Sequence, residues 1–424
     1  MLAVYRLLVL LAAPLALAWF RWRIPGPAGL RAHWRERLGR LPEADRPALW
    51  IHAASVGEIN AVAGLVTALL ERYPEERVVI STITVTGRAE AIRRFGDGND
   101  NNHDNRVETV FTPLDMPWIV GRWLSRVRPR LAMVAETEIW PELYRGCRKR
   151  EIPMVLVNAR LAHKAMRRYR RFRSLFAASL AAVDLAVCQS EQDAERFREL
   201  GLDDSRVAMA GNLKFDSAIP QDLGETVRRL REQWGERPTW VAGSTRPGEE
   251  DIVLTAHAKL REQRPDALLV LAPRHPDRSD EIRSLIERAG LRQQPIGEAV
   301  EPGTGVVLVD RIGVLVSCYA AAPAAFVGGS LVDIGGHNLL EPAAFGKAVI
   351  AGPHLHQQAD SAAALREAGA LIEVSDAEGL AEAVESIWSD PQRALEYGSA
   401  ALKVVENGRG SVRRTLRFIE PFLR

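Results

Sequence analysis

Short apolar runs rich in β-branched residues recur between amphipathic stretches along this chain, and no other feature limits its fold as much. In the first half they are ALWIHAA, RVVISTIT, LAMVAE, PMVLVNA and DLAVCQS; in the second, TWVAGS, ALLVLAP, GVVLVD, AAFVGGS and KAVIAG. A strand that is apolar throughout, rather than at every second residue, must be covered on both faces. Strands separated by helix-length segments pair in parallel, and the helices supply that cover. The pattern stops at FDSAIPQDLGETVRRLREQWGERP, a polar stretch without a strand from Phe215 to Pro238, and then restarts. The 424 residues also exceed the roughly 250–300 at which a single core stops growing. An α/β protein of two Rossmann-like, doubly wound domains is predicted, over residues 30-216 and 238-424 with 217-237 as linker, and with the option that the last helix returns to the first domain. Ligands of such sheets bind beyond the carboxyl ends of the strands, so two domains facing each other are expected to share a central cleft.

Composition narrows the function. A net charge of +2 gives no basis for bulk nucleic-acid binding, so any basic patch must be local. Cys147, Cys188 and Cys318 form no CxxC pair and leave one thiol over in any bonding scheme, which points to a reducing compartment. The opening MLAVYRLLVLLAAPLALAWF carries one charge, Arg6, and RWRIPGPAGLRAHWRER follows it. A spanning helix needs about 20 apolar residues, and Trp19, Phe20, Arg21, Trp22 and Arg23 suit a membrane interface rather than a signal-peptide cleavage site. Residues 1-22 are therefore expected to be an uncleaved membrane anchor, spanning the bilayer or lying along it. Arginines concentrate on its C-terminal side, which by the positive-inside rule puts the body of the protein in the cytoplasm.

The most legible candidate site is FVGGSLVDIGGHNLLEPAAFGKAVIAGP, Phe326 to Pro353. A strand ends at Gly328 and Gly329, a second pair follows at Gly335 and Gly336, and a helix running through Glu341 is expected to begin at His337 and Asn338. Glycines let a backbone approach a ligand closely, and a helix start offers unpaired N–H groups to a phosphate. Glu341 is placed to meet a ribose hydroxyl pair. With neither the G-x-G-x-x-G of a dinucleotide fold nor the GK[ST] of a P-loop, nicotinamide chemistry and ATP hydrolysis are unsupported. In LAPRHPDR, Arg274 and His275 follow a strand, where a guanidinium can donate two parallel bonds to a phosphate. The alternative is a surface loop whose Arg meets a neighbouring Asp. AGSTRPGEED, with Ser244, Thr245 and Glu249, has the layout of a capped helix start.

The first half is sparser. WIHAASVGEINAV places Glu58 just after a strand and beside Gly57, where a helix opens. MVAETEIWPEL sets Glu136 and Glu138 at another strand end, an arrangement open to a sugar or a metal. No acidic pair matches a DxD motif and His354 with His356 read as loop residues, so no obligatory metal is predicted. GNLKFD supplies Lys214, either a solvated lysine or an ammonium facing a phosphate. NARLAHKAMRRYRRFRSLF sets Arg160, Lys164, Arg167, Arg168, Arg170, Arg171 and Arg173 among Met166, Tyr169 and Phe172. Such a run is either a solvated face or a contact with anionic lipid, at about 1 kcal/mol per basic residue.

Taken together and in order, WIHAASVGE, FTPLDMP, ETEIWPEL, NARL, CQSEQDAERFRELG, GNLKFD, LAPRHP and FVGGSLVDIGGHNLLEPAAFGKAVIAGP resemble the 3-deoxy-D-manno-octulosonic acid (Kdo) transferases of Gram-negative lipopolysaccharide synthesis. The resemblance implies a GT-B glycosyltransferase architecture, with the nucleotide in the C-terminal domain and an anchor in the bacterial inner membrane. It implies inverting transfer of Kdo from CMP-Kdo to a hydroxyl of the lipid A precursor, lipid IVA, with no cofactor beyond that donor. It also implies roles: Glu58 as general base, Glu136 and Lys214 as transition-state stabilisers, and a CMP site made by Arg274 and His275, by Ile312, Gly313 and Val314, and by Asn338, Leu339, Leu340 and Glu341. Acceptor or membrane contact falls to Arg160, Lys164, Arg167, Arg168 and Arg171. Two positions depart from the family pattern: Val314 stands where IGEL has a glutamate, and Arg246 where STHxGEE has a histidine.

The implied chemistry gives Glu58 a purpose. CMP leaves with less charge than a sugar diphosphate, so Arg274, Lys214 and a helix N-terminus are expected to stabilise it without a cation. The acceptor alcohol must then lose a proton as it attacks. A solvated carboxylate, with pKa about 4.3, is a feeble base, so desolvation in a closed cleft is expected to raise Glu58. The competing readings are another GT-B enzyme using a UDP-sugar and a non-catalytic lipid A-binding membrane protein. The joint presence of Glu58, Glu136 and Lys214 argues against the second.

Overall fold

All the apolar runs named above form strands in the computed structural model, which describes residues 5–6, 33–96, 106–161, 166, 169, 173–216 and 223–424. The first sheet holds β1 (Ala48–His52), β2 (Arg77–Thr82), β3 (Val107–Phe111), β4 (Pro129–Ala135), β5 (Met154–Ala159), β6 (Leu185–Cys188) and β7 (Val207–Met209), in the order β3-β2-β1-β4-β5-β6-β7. The second holds β8 (Thr239–Thr245), β9 (Leu268–Pro273), β10 (Arg292–Pro295), β11 (Thr304–Leu308), β12 (Ala324–Val327), β13 (Ala348–Ala351) and β14 (Leu371–Glu373), in the order β10-β11-β9-β8-β12-β13-β14. Every pairing is parallel. β3, β7, β10 and β14, which contain no long apolar run, are the edges of the two sheets. An edge strand pairs on one side only and is covered less, so its residues need not be apolar throughout.

β1 shows why the central strands are apolar on both faces. Ala48 and Trp50 point into one core with Trp123, Leu124 and Leu156, while Leu49 and Ile51 point into the other with Val62, Leu65 and Val66. Trp50 meets Trp123 edge-on with ring centroids 4.9 Å apart, and its indole N–H donates to Ser81 Oγ at 2.8 Å. Burying each such side chain contributes about 1.5–3 kcal/mol. In the second sheet Trp240, Leu269, Leu271 and Phe326 build the corresponding layer with Val253, Leu254 and Leu260 of the helix Glu249–Gln263. The three cysteines are buried free thiols.

The chain divides into two compact units, Met1–Ser217 with Arg409–Arg424, and Ala218–Gly408. The stretch read as a linker contains the helix Gly224–Trp234, whose Leu230 and Trp234 are buried in the second unit. The returning helix Ser411–Ile419 joins the first unit by a contact far apart in sequence. Asp216 accepts from the backbone N–H of Gly410 at 2.7 Å and of Val412 at 2.6 Å, so one carboxylate satisfies two donors that the helix start leaves open. Asp216→Ala is expected to destabilise the first unit by about 2–4 kcal/mol. Urea unfolding checks this, and an unchanged midpoint would reject it.

Candidate active site

The strand order reverses between β1 and β4 in the first sheet and between β8 and β12 in the second. Neighbouring strands there send their following segments in opposite directions, which leaves a crevice beyond their carboxyl ends. Glu58 follows β1, Glu136 follows β4, Arg246 follows β8 and Asn338 follows β12, while Arg274 and His275 follow β9, the neighbour of β8.

In the first unit, β1 leads through Ala53 to Ser55 into the helix Val56–Arg72, with Glu58 in its first turn. Glu58 Oε2 accepts from the Ala54 N–H at 2.7 Å and Oε1 accepts from the Ser55 hydroxyl at 3.1 Å. The carboxylate therefore closes its own helix start, and the same bonds fix it at the end of β1. Burial pushes its pKa up to about 7; the Ala54 and Ser55 bonds oppose the rise and the negative charges of Glu136 and Glu138 add to it. The expected elevation is produced by burial within this unit.

Glu136 follows β4 with φ +55°, and its N–H donates to the Val157 carbonyl at 3.0 Å. A non-glycine residue in the left-handed region is strained and persists only where its surroundings hold it. Glu138 accepts from the Trp140 indole N–H at 3.1 Å, and burial raises its pKa, with the charge of Glu136 adding to the rise. Lys214 lies in the 3-10 turn Leu213–Asp216. Asn158, buried in β5 with φ +52°, accepts from the Leu213 N–H at 2.9 Å, and Asn212 accepts from the Lys214 N–H at 3.0 Å. β5 is the neighbour of β4, so these bonds hold the Lys214 turn over the strand end beside Glu136. Lys214 is half-buried, and among the described residues its ammonium pairs with no acid.

In the second unit, four basic side chains gather at the ends of β8, β9 and β12. Arg246 Nη1 donates to His275 Nε2 at 2.6 Å. Arg274, exposed, is placed by its N–H bond to the Thr245 carbonyl at 3.0 Å. The His337 ring fills the space above Gly329, where a Cβ would lie 2.9 Å from Cδ2. Burial lowers the pKa of His337 to about 4, and the charges of Arg274, Arg246 and His275 push it the same way. Its Nε2 is buried and without a partner among the described residues. Among those residues none of Arg246, Arg274 and His275 is ion-paired to an acid, so the alternative of an Arg274–Asp surface pair is not found. Guanidinium groups that pair with no acid attract an anion.

The glycine-rich turn itself differs from the expectation. The N–H groups of Gly329, Ser330 and Leu331, where the glycines were expected to let the backbone approach a ligand, already donate to Glu249, at 2.6, 2.9 and 2.8 Å. The helix expected from His337 begins only at Leu340, whose N–H donates to Asn338 Oδ1 at 3.2 Å, and ends at Ala343. Asn338 also donates to Glu341 at 3.2 Å. The Ile312–Val314 turn is exposed at Ile312, and Gly313 has φ +93°. Among the described residues no group of three or more His, Cys, Asp or Glu is arranged to hold a metal ion.

Residues 32–217 match the family model of the 3-deoxy-D-manno-octulosonic-acid transferases, and residues 249–404 match that of the glycosyl transferases group 1. A 3-deoxy-D-manno-octulosonic acid transferase of Haemophilus influenzae is 33% identical over 99% of this chain and 98% of its own length. The chain belongs to the Kdo transferase family. A Bordetella pertussis member is 34% identical over 99% of both chains. Among solved structures, the UDP-GlcNAc 2-epimerase of Neisseria meningitidis is similar with a TM-score of 0.55 at 13% identity, over 87% of this chain and 100% of that one. So low an identity speaks for the fold alone, which is of the GT-B type with two Rossmann-like units. The protein is an enzyme that transfers Kdo.

In this Kdo transferase the described part of the expected anchor is Tyr5 and Arg6. Tyr5 donates to Asp115 at 2.6 Å, and Arg6 forms a two-pronged ion pair with the buried Glu142, at 2.7 and 3.1 Å. Asp115 in turn accepts from the N–H groups of Glu142 and Leu143 at 3.0 and 2.8 Å. The rest of residues 1-22 lies outside the described residues, among which no helix is long and apolar enough to cross a membrane. Lys164, Arg167, Arg168 and Arg171 also lie outside them, and Arg160 is half-buried. Met166 and Tyr169, expected to interleave with the cations on a lipid-facing surface, are buried in the first core, where Tyr169 meets Phe176 edge-on. They have the apolar surface a core takes up, so packing claims them first. Sequence reasoning named Arg246 only as a departure from the family pattern and His337 only as a helix start, and it gave no role to Asn158, Asp115 or Glu142. The last three stand inside NARL, FTPLDMP and ETEIWPEL, and those shared segments were the available signal.

Proposed function

We propose that the enzyme transfers Kdo from CMP-Kdo to a hydroxyl of the tetraacylated lipid A precursor in lipopolysaccharide core synthesis, on the cytoplasmic side of the bacterial inner membrane. The observation that carries this reading is the combination, within one Kdo transferase, of a half-buried carboxylate whose pKa is pushed up to about 7 and of basic side chains, Arg246 and Arg274, that pair with no acid among the described residues. Glu58 takes the proton of the acceptor hydroxyl, whose oxygen attacks the anomeric carbon of Kdo from the face opposite the phosphate. The bond to the phosphate oxygen breaks, CMP leaves with the electron pair, and the configuration inverts. A base with a pKa near the working pH is both ionised and basic enough for this step.

Glu136 and Lys214 stabilise the transition state. Arg274, His275, the Ile312–Val314 turn and Asn338 to Glu341 hold CMP, with charge supplied by side chains, so that no metal is required. Residues 1-22 anchor the enzyme, and Arg160, Lys164, Arg167, Arg168 and Arg171 meet anionic head groups of the membrane or the acceptor. Purified protein incubated with CMP-Kdo and the tetraacylated precursor is expected to give, by mass spectrometry, a product heavier by one or more Kdo units. Absence of product while CMP still binds would reject the acceptor, and failure to bind CMP would reject the donor.

A further inference from the structure

Glu249 has no accessible surface, yet its carboxylate is engaged on both oxygens by backbone donors from two different turns. Oε1 accepts from Ser330 and Leu331, and Oε2 accepts from Gly329 and, at 2.9 Å, from Arg246. Three successive N–H groups closing on one anion, opened by Gly329 at φ +69°, form the concave nest that phosphate-binding loops use. Here the anion is part of the chain. The two turns it joins carry the basic cluster. Arg246, on the turn after β8, holds His275, and Gly329, on the turn after β12, supports the ring of His337. The second turn is braced further, because Ser330 Oγ donates to the Val327 carbonyl at 2.5 Å and accepts from the Gly352 N–H at 2.8 Å.

We propose that Glu249 is a positioning residue for Kdo transfer: an internal anion that occupies the glycine nest and thereby sets the spacing of Arg246 and His337, which meet the donor's own negative charge. The nest is thus closed to substrate, and the donor anion is received by side chains alone. This rests on the reading of CMP-Kdo as donor. Misplacing a site by about 1 Å from outside the chemistry costs about 100-fold.

Glu249→Gln replaces one acceptor oxygen by an amide that faces backbone donors. It is expected to raise KM for CMP-Kdo by about 100-fold, to weaken inhibition by CMP in parallel, and to leave KM for the lipid acceptor unchanged. The kinetics are run well below the variant's own melting temperature, so that folded molecules are compared. In Glu249→Ala the nest is left without its anion, and added formate is expected to restore donor KM by about tenfold, the worth of one charge-assisted hydrogen bond, with no effect on the wild type. A merely structural role would move donor and acceptor parameters together, and formate would restore neither; either result overturns the proposal. So does wild-type donor KM in Glu249→Gln. Wild type that takes no CMP-Kdo would remove the donor reading first, and this inference with it.

Discussion

Glu58→Gln is expected to slow Kdo transfer by about 10²- to 10⁴-fold, with CMP binding unchanged. The amide keeps the shape of the carboxylate and can still accept from the Ala54 N–H, so the helix start survives while the proton acceptor is lost. The pH profile gives the sharper readout. Burial raises the Glu58 pKa to about 7, so the ionised form, the only form able to take the acceptor's proton, is scarce in weak acid. The wild-type rate is expected to rise through about pH 7 and then level off, and the residual rate of the variant is expected to lack that limb. Stability moves the other way. The native state holds a proton that the unfolded chain releases from about pH 4.5, so Glu58 costs the wild type stability as pH rises from there to about 7. Across that window the melting temperature of Glu58→Gln is expected to gain on that of the wild type. Transfer at the wild-type rate, or a variant that keeps the acid limb, would remove Glu58 from the role of base.

Arg274→Ala is expected to lower kcat/KM for the donor by about 10²- to 10³-fold, the effect of removing one preorganised donor aimed at developing charge. Arg274 spends no side-chain bond on an acid, and only its backbone is tied down, through the Thr245 carbonyl. Its guanidinium is therefore available to a ligand without breaking an internal pair. Arg274→Lys keeps the charge but loses the planar fork, so it is expected to recover only part of the loss. Because the cluster stays together without Arg274 through the Arg246–His275 contact, the loss should appear in donor kinetics and not in the melting temperature. An unchanged donor KM and kcat in Arg274→Ala would place the leaving phosphate elsewhere.

How much was legible differed by element. Central strands such as β1, β4, β8 and β9 announce themselves because both faces are buried and nearly every residue must be apolar. The edges β10, with RQQP, and β14, with LIE, do not, since half their environment is solvent. Single side chains at strand ends were legible when the strand before them was, as with Glu58, Glu136 and Arg274. The glycine-rich turn was legible only in part. Its composition says that the backbone can approach an anion closely, but which anion it meets was settled by Glu249, 80 residues before Gly329 in the chain.

The sequence by itself determined the α/β class, the parallel pairing, the break between two units and the family, because these rest on local periodicity and on ordered segments that survive as words. Tertiary structure alone decided that Glu249 fills the nest, that Asp216 caps a helix near the chain's end, that Arg246 leans on His275, and that Met166 and Tyr169 belong to the core. Each of these is a contact between residues far apart in sequence or a choice between two surfaces open to the same side chain. Such contacts leave no periodicity in the chain, since a hydrogen bond or a burial site is chosen by whatever the folded backbone brings within about 3–4 Å.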